Sequence, residues 1–322
     1  MKVYITDCDH DNINIEKEIF DRAGIELTLK NAISEDEVIE QCKDGDIFIV
    51  QYAKISRKVM ENCPNLKYIV RYGVGVDTVD VEAANELGIQ VGNVPDYGMN
   101  EVADHAISLA LSFLRKINTM NNFTKNEKWD YTEAIPIHRF STLTVGVVGL
   151  GRIGSNFARK MSALGFNIIG FDPRSENIKE LDCVEIVSFE ELLEKSDLIS
   201  IHCPADNNYD LFDKNAFNKM KKTSFIINTA RGGIINEEAL EWALSNDIIA
   251  GACLDCMLNE PVDKSNPLFK HENVIVSPHI AWYSEESAQE LKRKVAEESV
   301  RFAKGEDIHY PINKLGWVVW KV

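Results

Sequence analysis

Two kinds of apolar pattern take turns along this chain. Short runs of consecutive, largely β-branched residues lack the alternation of a strand with one wet face, so each reads as a parallel strand buried on both sides. Between them the apolar residues fall at helical spacing, bracketed by turn and capping residues. In the first part, strands are expected at 3–6, 25–29, 46–50, 66–70 and 89–94. Ile15, Ile19 and Phe20 mark one helix face, and Ser34 with Glu37 forms a capping box. A short helix at 56–62 stops before Pro64, and another at 81–87 ends on Gly88. A long apolar helix at 101–116 carries Val102, Ala106, Leu109 and Phe113 on one stripe; His105 within it reads as a core or interdomain histidine. Residues 117–141, with Trp129, Tyr131 and Pro136, lose periodicity, and a connection this long reads as an arm laid over a second subunit.

A second series of units follows. Strands are expected at 144–148, 166–171, 184–187, 197–202, 224–228, 249–254 and 274–276, with helices at 189–195 (capped by Ser188 with Glu191) and 237–245. Ser284 caps a last amphipathic helix running to about residue 304. Alternation of this kind implies α/β architecture with two doubly wound parallel sheets. A chain that has completed its second sheet and still has a long helix is expected to return to the first domain. The boundaries expected are therefore 1–99 plus 285–322 for one domain and 100–284 for the other. The tail with Trp317 and Trp320 is assigned to packing.

Bulk properties narrow the classes. With 322 residues, 45% hydrophobic and 27% charged, the chain suits two globular domains. A net charge of −16 argues against nucleic acid or an anionic membrane as partner, while leaving room for a small anionic substrate held by local cations. The opening residues read as a strand rather than a signal peptide, and no apolar run approaches the ~20 residues that span a bilayer. Seven cysteines without regular spacing fit a reducing cytoplasm. Cys253-Leu254-Asp255-Cys256, late in an apolar strand, reads as buried thiols rather than a metal or redox site.

One stretch carries clear chemistry. The strand Thr144-Val145-Gly146-Val147-Val148 breaks into Gly149-Leu150-Gly151-Arg152-Ile153-Gly154, and Ile153, Phe157, Met161 and Leu164 then fall on one helix face. Glycine at 149 allows the tight turn, at 151 close approach of a pyrophosphate, and at 154 close packing of helix on strand. The helix N-terminus faces the phosphates. The next strand ends at Asp172, placed for both ribose hydroxyls; it favours NAD over NADP, a preference that Arg174 could soften. In the first domain, Tyr72-Gly73-Val74-Gly75 closes a buried strand and offers backbone N–H groups suited to a carboxylate.

Three further residues stand where second-domain strands end. Arg231 offers a planar fork for a carboxylate, His279 can give or take a proton, and Glu260 beside it would hold the imidazolium. Together they form a kit for reducing a 2-keto acid, with hydride transfer left to a nicotinamide.

The chain resembles the D-2-hydroxyacid dehydrogenase family over nearly its whole length, and within it the C-terminal-binding-protein-like branch. The resemblance rests on Arg71 to Asp77, Asn93 to Gly98 with Val102 to His105, Val148 to Gly154, Asn228 to Gly233, Leu254-Asp255 with Glu260-Pro261, and Ser277 to Tyr283. It implies a flavodoxin-like substrate domain and a Rossmann NAD-binding domain. It implies Arg231 as substrate arginine, Glu260 as helper acid and His279 as acid/base. Gly149, Gly151, Arg152, Ile153, Gly154, Asp172, His202, Cys203, Pro204, Thr229, Ala230 and Asp255 would contact NAD, Asp255 at the carboxamide. Tyr72, Gly73, Val74, Gly75, Arg231 and Trp282 would contact substrate. The expectation is a cytoplasmic homodimer without metal. Cys256-Met257 replaces the family's usual Val-Phe, and Glu260 stands where formate dehydrogenases carry glutamine. Two alternatives stay open: a D-3-phosphoglycerate dehydrogenase lacking its regulatory domain, and an NAD-binding scaffold resembling the corepressors.

Overall fold

The computed structural model describes residues 1–126, 128–174, 181–205 and 207–315, so Trp317 and Trp320 lie outside the described residues. The chain divides into two compact units, Met1–Gly98 with the described part of Ser284–Val322, and Met99–Tyr283.

Unit one holds β1 (Val3–Ile5), β2 (Leu27–Leu29), β3 (Ile47–Val50), β4 (Tyr68–Arg71) and β5 (Gln90–Gly92), all parallel, in the order β2-β1-β3-β4-β5. This is the flavodoxin-like order, and its topological switch falls between β1 and β3. Central β3 is buried at every position, which is why its sequence is apolar without alternation. On one face α2 (Glu35–Cys42), α3 (Arg57–Asn62) and α4 (Val81–Leu87) bury Val38, Val59, Met60, Ala83 and Ala84. The capping box of Ser34 and Glu37 starts α2, and Asp80 caps α4. On the other, α1 (Asn14–Ala23) and α11 (Glu285–Ala303) pack together, and Phe302 stacks on Tyr68 with centroids 4.6 Å apart.

Unit two holds β6 (Thr144–Val148), β7 (Asn167–Phe171), β8 (Glu185–Ile186), β9 (Leu198–Ile201), β10 (Phe225–Asn228), β11 (Gly251–Leu254) and β12 (Val274–Val276). Their order, β12-β11-β10-β9-β6-β7-β8, is the doubly wound dinucleotide-binding arrangement with an additional strand beyond its far edge. Alternate residues face opposite layers. Val145, Val147, Phe225 and Ile227 meet α5 (Met99–Leu114) and α7 (Arg152–Ala163). Ile199, Ile201 and Ile226 meet α8 (Phe189–Lys195), α9 (Lys214–Lys219) and α10 (Glu237–Ser245). The chain reverses direction across the sheet between β6 and β9, and the glycine turn leaves β6 there.

The segment after α5 corrects the sequence expectation. Instead of one aperiodic arm, Lys116 takes a left-handed conformation (φ 52°) and the chain restarts as α6 (Ile117–Lys125), followed by short 3-10 turns at Thr132–Ala134 and Phe140–Thr142. None of the α6 residues is buried, and its apolar stripe, Ile117, Met120 and Phe123, is too short to stand out in the sequence around it. Among the described residues no helix is long and apolar enough to cross a membrane.

Candidate active site

The glycine turn is shaped by its neighbours. Gly149 has φ +91°, and a methyl group there would lie 2.7 Å from the Cys203 backbone nitrogen. At Gly154 it would lie 1.9 Å from the Gly149 carbonyl oxygen, the close helix-to-turn packing that the spacing implies. A methyl on Gly151 would meet nothing within 4 Å, so the protein leaves that side open for a pyrophosphate. Gly151 is also the N-cap of α7 and leaves its first N–H groups without a side-chain cap. Arg152 is exposed and Ile153 half-buried at this mouth.

Asp172 follows β7 directly and is almost buried. Its Oδ2 accepts from the Leu150 N–H at 2.9 Å and its Oδ1 from the Arg174 N–H at 2.8 Å, so the carboxylate also braces the glycine turn. The Arg174 side chain is 76% exposed, with Nε 3.8 Å from Oδ1. Beyond β9, the His202 imidazole lies against Phe157 and bonds the Ser200 hydroxyl at 2.9 Å; burial pushes its pKa down to about 3, leaving it neutral. Burial also raises the half-buried Cys203 thiol to about 11, and Pro204 is exposed. Asn228 braces the turn after β10, its amide donating to the Arg231 carbonyl at 2.8 Å and its oxygen accepting from the Ala230 N–H at 3.0 Å. Within that turn the Thr229 hydroxyl is buried without a hydrogen-bond partner among the described residues. An open glycine, an uncapped helix start, an acid at the ribose end and an orphaned hydroxyl are what a dinucleotide would satisfy.

The chemistry-bearing side chains gather beside this wall. His279 adopts φ 53°, rare for a residue with a side chain. Its Nδ1 lies 2.6 Å from Glu260 Oε2. Burial opposes the charge on Glu260, but His279, the Met257 N–H and the Arg231 charge outweigh it and hold the carboxyl below its ordinary range. An ionised Glu260 accepts only, so Nδ1 bears a hydrogen and Nε2 is left for substrate. Arg231 donates through Nη1 to the Ala230 carbonyl at 2.7 Å. The Arg231 turn and the Glu260 loop are in backbone contact through Gly232, where a methyl would lie 2.0 Å from the Met257 carbonyl carbon. Trp282 is half-buried, edge-on to Tyr283 with centroids 5.5 Å apart.

Asp255, 2% exposed, has most of its carboxylate in use. It accepts from the Ser277 hydroxyl (2.6 Å), the Ile280 N–H (3.0 Å) and the Ala281 N–H (2.9 Å). With about four acceptor positions on a carboxylate, about one is left for a carboxamide. Ser277, His105 and Glu237 were not singled out as site residues by the sequence pattern. Glu237 accepts from the Leu258 N–H at 2.6 Å and so fixes the Glu260 loop; an acid in the first turn of a helix is too common to signal that.

In unit one the Tyr72–Gly75 turn turns its aromatic ring inward. Tyr72 is 2% exposed and donates to Glu16 Oε1 at 2.8 Å, which leaves the turn's backbone, not the phenol, to meet a ligand. Gly73 has φ +128°, its carbonyl accepts from the Val94 N–H at 3.0 Å, and Asn93 donates to the Val74 carbonyl at 2.5 Å. Among the described residues no group of three or more His, Cys, Asp or Glu is arranged to hold a metal ion.

Comparison with known proteins agrees with this layout. Residues 107–281 match the family described as D-isomer specific 2-hydroxyacid dehydrogenase, NAD binding domain. A D-3-phosphoglycerate dehydrogenase of Archaeoglobus fulgidus is 36% identical over 90% of this chain, and the match covers 55% of that protein. The chain thus spans about half the length of the D-3-phosphoglycerate dehydrogenases it matches. A glyoxylate reductase of Korarchaeum cryptofilum is 34% identical over 84% of this chain and 83% of its own length. Among solved structures, an NAD-dependent formate dehydrogenase from Staphylococcus aureus in complex with NAD superposes with a TM-score of 0.88, at 26% identity, over 98% of this chain and 100% of that one.

Proposed function

The chain belongs to the D-isomer specific 2-hydroxyacid dehydrogenase family, and on that premise we propose that it interconverts a small 2-keto acid and the D-2-hydroxy acid using NAD. The observation that carries this reading is the Glu260–His279 hydrogen bond at 2.6 Å, with the charge of Arg231 bearing on the same glutamate. Bound NADH supplies the hydride. Arg231 grips the substrate carboxylate and draws density from the neighbouring carbonyl. His279 Nε2 gives its proton to the carbonyl oxygen in reduction and takes it back in oxidation. Glu260 keeps Nδ1 protonated and the ring aimed, and stabilises the imidazolium by its charge. Backbone groups of Gly73, Val74 and Gly75 are further proposed contacts for the carboxylate, and Trp282 for the side chain of the substrate.

The test is steady-state oxidation of NADH with glyoxylate, hydroxypyruvate, pyruvate, phenylpyruvate and phosphorylated hydroxypyruvate. Turnover with an unphosphorylated acid is expected. Preference for the phosphorylated one would favour the phosphoglycerate dehydrogenase reading, and no turnover with any acid would favour a scaffold. His279→Ala should lower kcat by about 10²–10⁴-fold, the range for losing a general acid, while NADH still quenches protein fluorescence. Unchanged turnover would sink the assignment.

We also propose a cytoplasmic homodimer. Trp129 (94% exposed) and Tyr131 (77%) support it, being costly to leave in water unless a second copy covers them. Seven free thiols favour a reducing compartment. Sedimentation as a monomer at micromolar concentration would refute the dimer.

A further inference from the structure

His105 lies on α5, far from the candidate acid/base in sequence, yet its side chain reaches the loop that presents it. Its Nε2 is 2.9 Å from Ser277 Oγ and 3.5 Å from Asp255 Oδ1. Ser277 has one hydroxyl hydrogen and spends it on Asp255 Oδ1 at 2.6 Å. Toward His105 it can therefore only accept, which makes Nε2 the protonated nitrogen of His105. Asp255 in turn is the post around which residues 277–281 wind. Its backbone carbonyl accepts from the His279 N–H at 2.8 Å, and its carboxylate accepts from the Ile280 and Ala281 N–H groups. These bonds hold His279 in its left-handed conformation, a state that persists only where the surroundings over-determine it.

Glu260 thus fixes the His279 ring from its Nδ1 side, and the Asp255–Ser277–His105 chain fixes the backbone beneath it. We propose that His105 is a positioning residue: through Ser277 and Asp255 it sets the conformation of the 277–281 turn and hence the aim of His279. The inference rests on the reading of His279 as the proton-transfer group. His105 itself touches neither substrate nor a reacting atom in this scheme. A displacement of about 1 Å at such a group costs on the order of 10²-fold in rate, which bounds the effect.

The test compares His105→Leu, which removes the donor, with His105→Gln, whose carboxamide keeps an N–H to offer Ser277. Ser277→Ala breaks the same link from the loop side, should His105→Leu fail to fold. His105→Leu and Ser277→Ala are expected to lower kcat about tenfold to a hundredfold, with KM for NADH within about twofold, and His105→Gln to recover most of the loss. A purely structural role would move Tm without this split. Hydrogen exchange of the segment 277–283, followed by mass spectrometry, should accelerate in His105→Leu and Ser277→Ala and return toward the wild-type rate in His105→Gln. Wild-type kcat in both disrupting variants, or unaltered exchange in them, would overturn the proposal. A wild-type protein inactive on every keto acid would remove the functional reading alone, and the exchange rates would still decide whether His105 holds the turn.

Discussion

Gly232→Ala is the substitution whose consequences the structure specifies most fully. The residue is buried directly after Arg231, and a methyl built on it would lie 2.0 Å from the Met257 carbonyl carbon, 2.2 Å from its oxygen and 2.3 Å from the Leu258 nitrogen. Carbon contacts become favourable only near ~3.5 Å, so the Met257–Leu258 peptide would have to retreat by roughly 1.5 Å. That peptide is pinned on both sides. The Met257 N–H donates to Glu260 Oε1 at 2.8 Å and the Leu258 N–H to Glu237 Oε1 at 2.6 Å. The displacement must therefore pass into Glu260, and so to His279, or into the Arg231 turn. Overpacking of this kind costs about 1–3 kcal/mol. For a unit of this size each kcal/mol lowers Tm by about 2–4 °C. Misplacing the catalytic set by about 1 Å should lower kcat on the order of 10²-fold. Gly233→Ala is the internal control. Its methyl would meet the Tyr209 ring at 2.3 Å, but Tyr209 is 69% exposed and can swing into water. Its cost should stay within about 0.5 kcal/mol, with little change in turnover. Thermal unfolding by circular dichroism and NADH oxidation at saturating substrate measure both. Wild-type Tm and kcat in Gly232→Ala, or equal losses in the two variants, would refute the reasoning.

Two further outcomes are expected. Asp172→Ala removes the carboxylate proposed to hold the ribose hydroxyls, and losing charged hydrogen bonds worth about 1.5–3 kcal/mol should reduce the preference for NADH over NADPH by about tenfold or more. An unaltered ratio of kcat/KM for the two cofactors would count against that role. Glu16, fully buried, has one oxygen on the Tyr72 hydroxyl and the other without a partner, and burial raises its pKa above the ordinary carboxyl value. The folded state thus holds this proton more tightly than the unfolded state. The resulting stability is fully present below the unfolded pKa and is lost as pH rises through the folded one. Glu16→Gln, permanently neutral, should flatten that decline and melt higher than wild type on the alkaline side of the window. Parallel Tm–pH profiles of the two proteins would contradict the assignment.

Element type was legible wherever burial is two-sided. Ile47–Val50 and Leu198–Ile201 are apolar at nearly every position because helices cover both faces, and that signal is local. Caps were legible for the same reason: Ser34 and Glu37, and Ser188 and Glu191, act within one turn. The α6 helix was not, since its stripe of Ile117, Met120 and Phe123 spans only about two turns and buries nothing, and β8, two exposed residues long, carries hardly more. Of the candidate site, the residue types were readable, while the details of their use were not. Nothing local distinguishes an outward Tyr72 from one turned onto Glu16, or an Asp255 open to a ligand from one holding three donors.

By itself the sequence determined two parallel α/β sheets and a dinucleotide turn at residues 149–154, because strand burial, helix spacing and turn glycines are set by neighbouring residues, while the family was legible through the resemblance of its ordered motifs. Tertiary structure alone decided which distant groups meet. Glu260 and His279 come from the loops after the adjacent strands β11 and β12, and their contact exists because those strands pair. His105 and Ser277 stand 172 positions apart, and only the layering of α5 on the sheet closes that gap. A hydrogen bond of 2.9 Å between them leaves no trace in either local pattern, since periodicity encodes which face is buried and not what it is buried against.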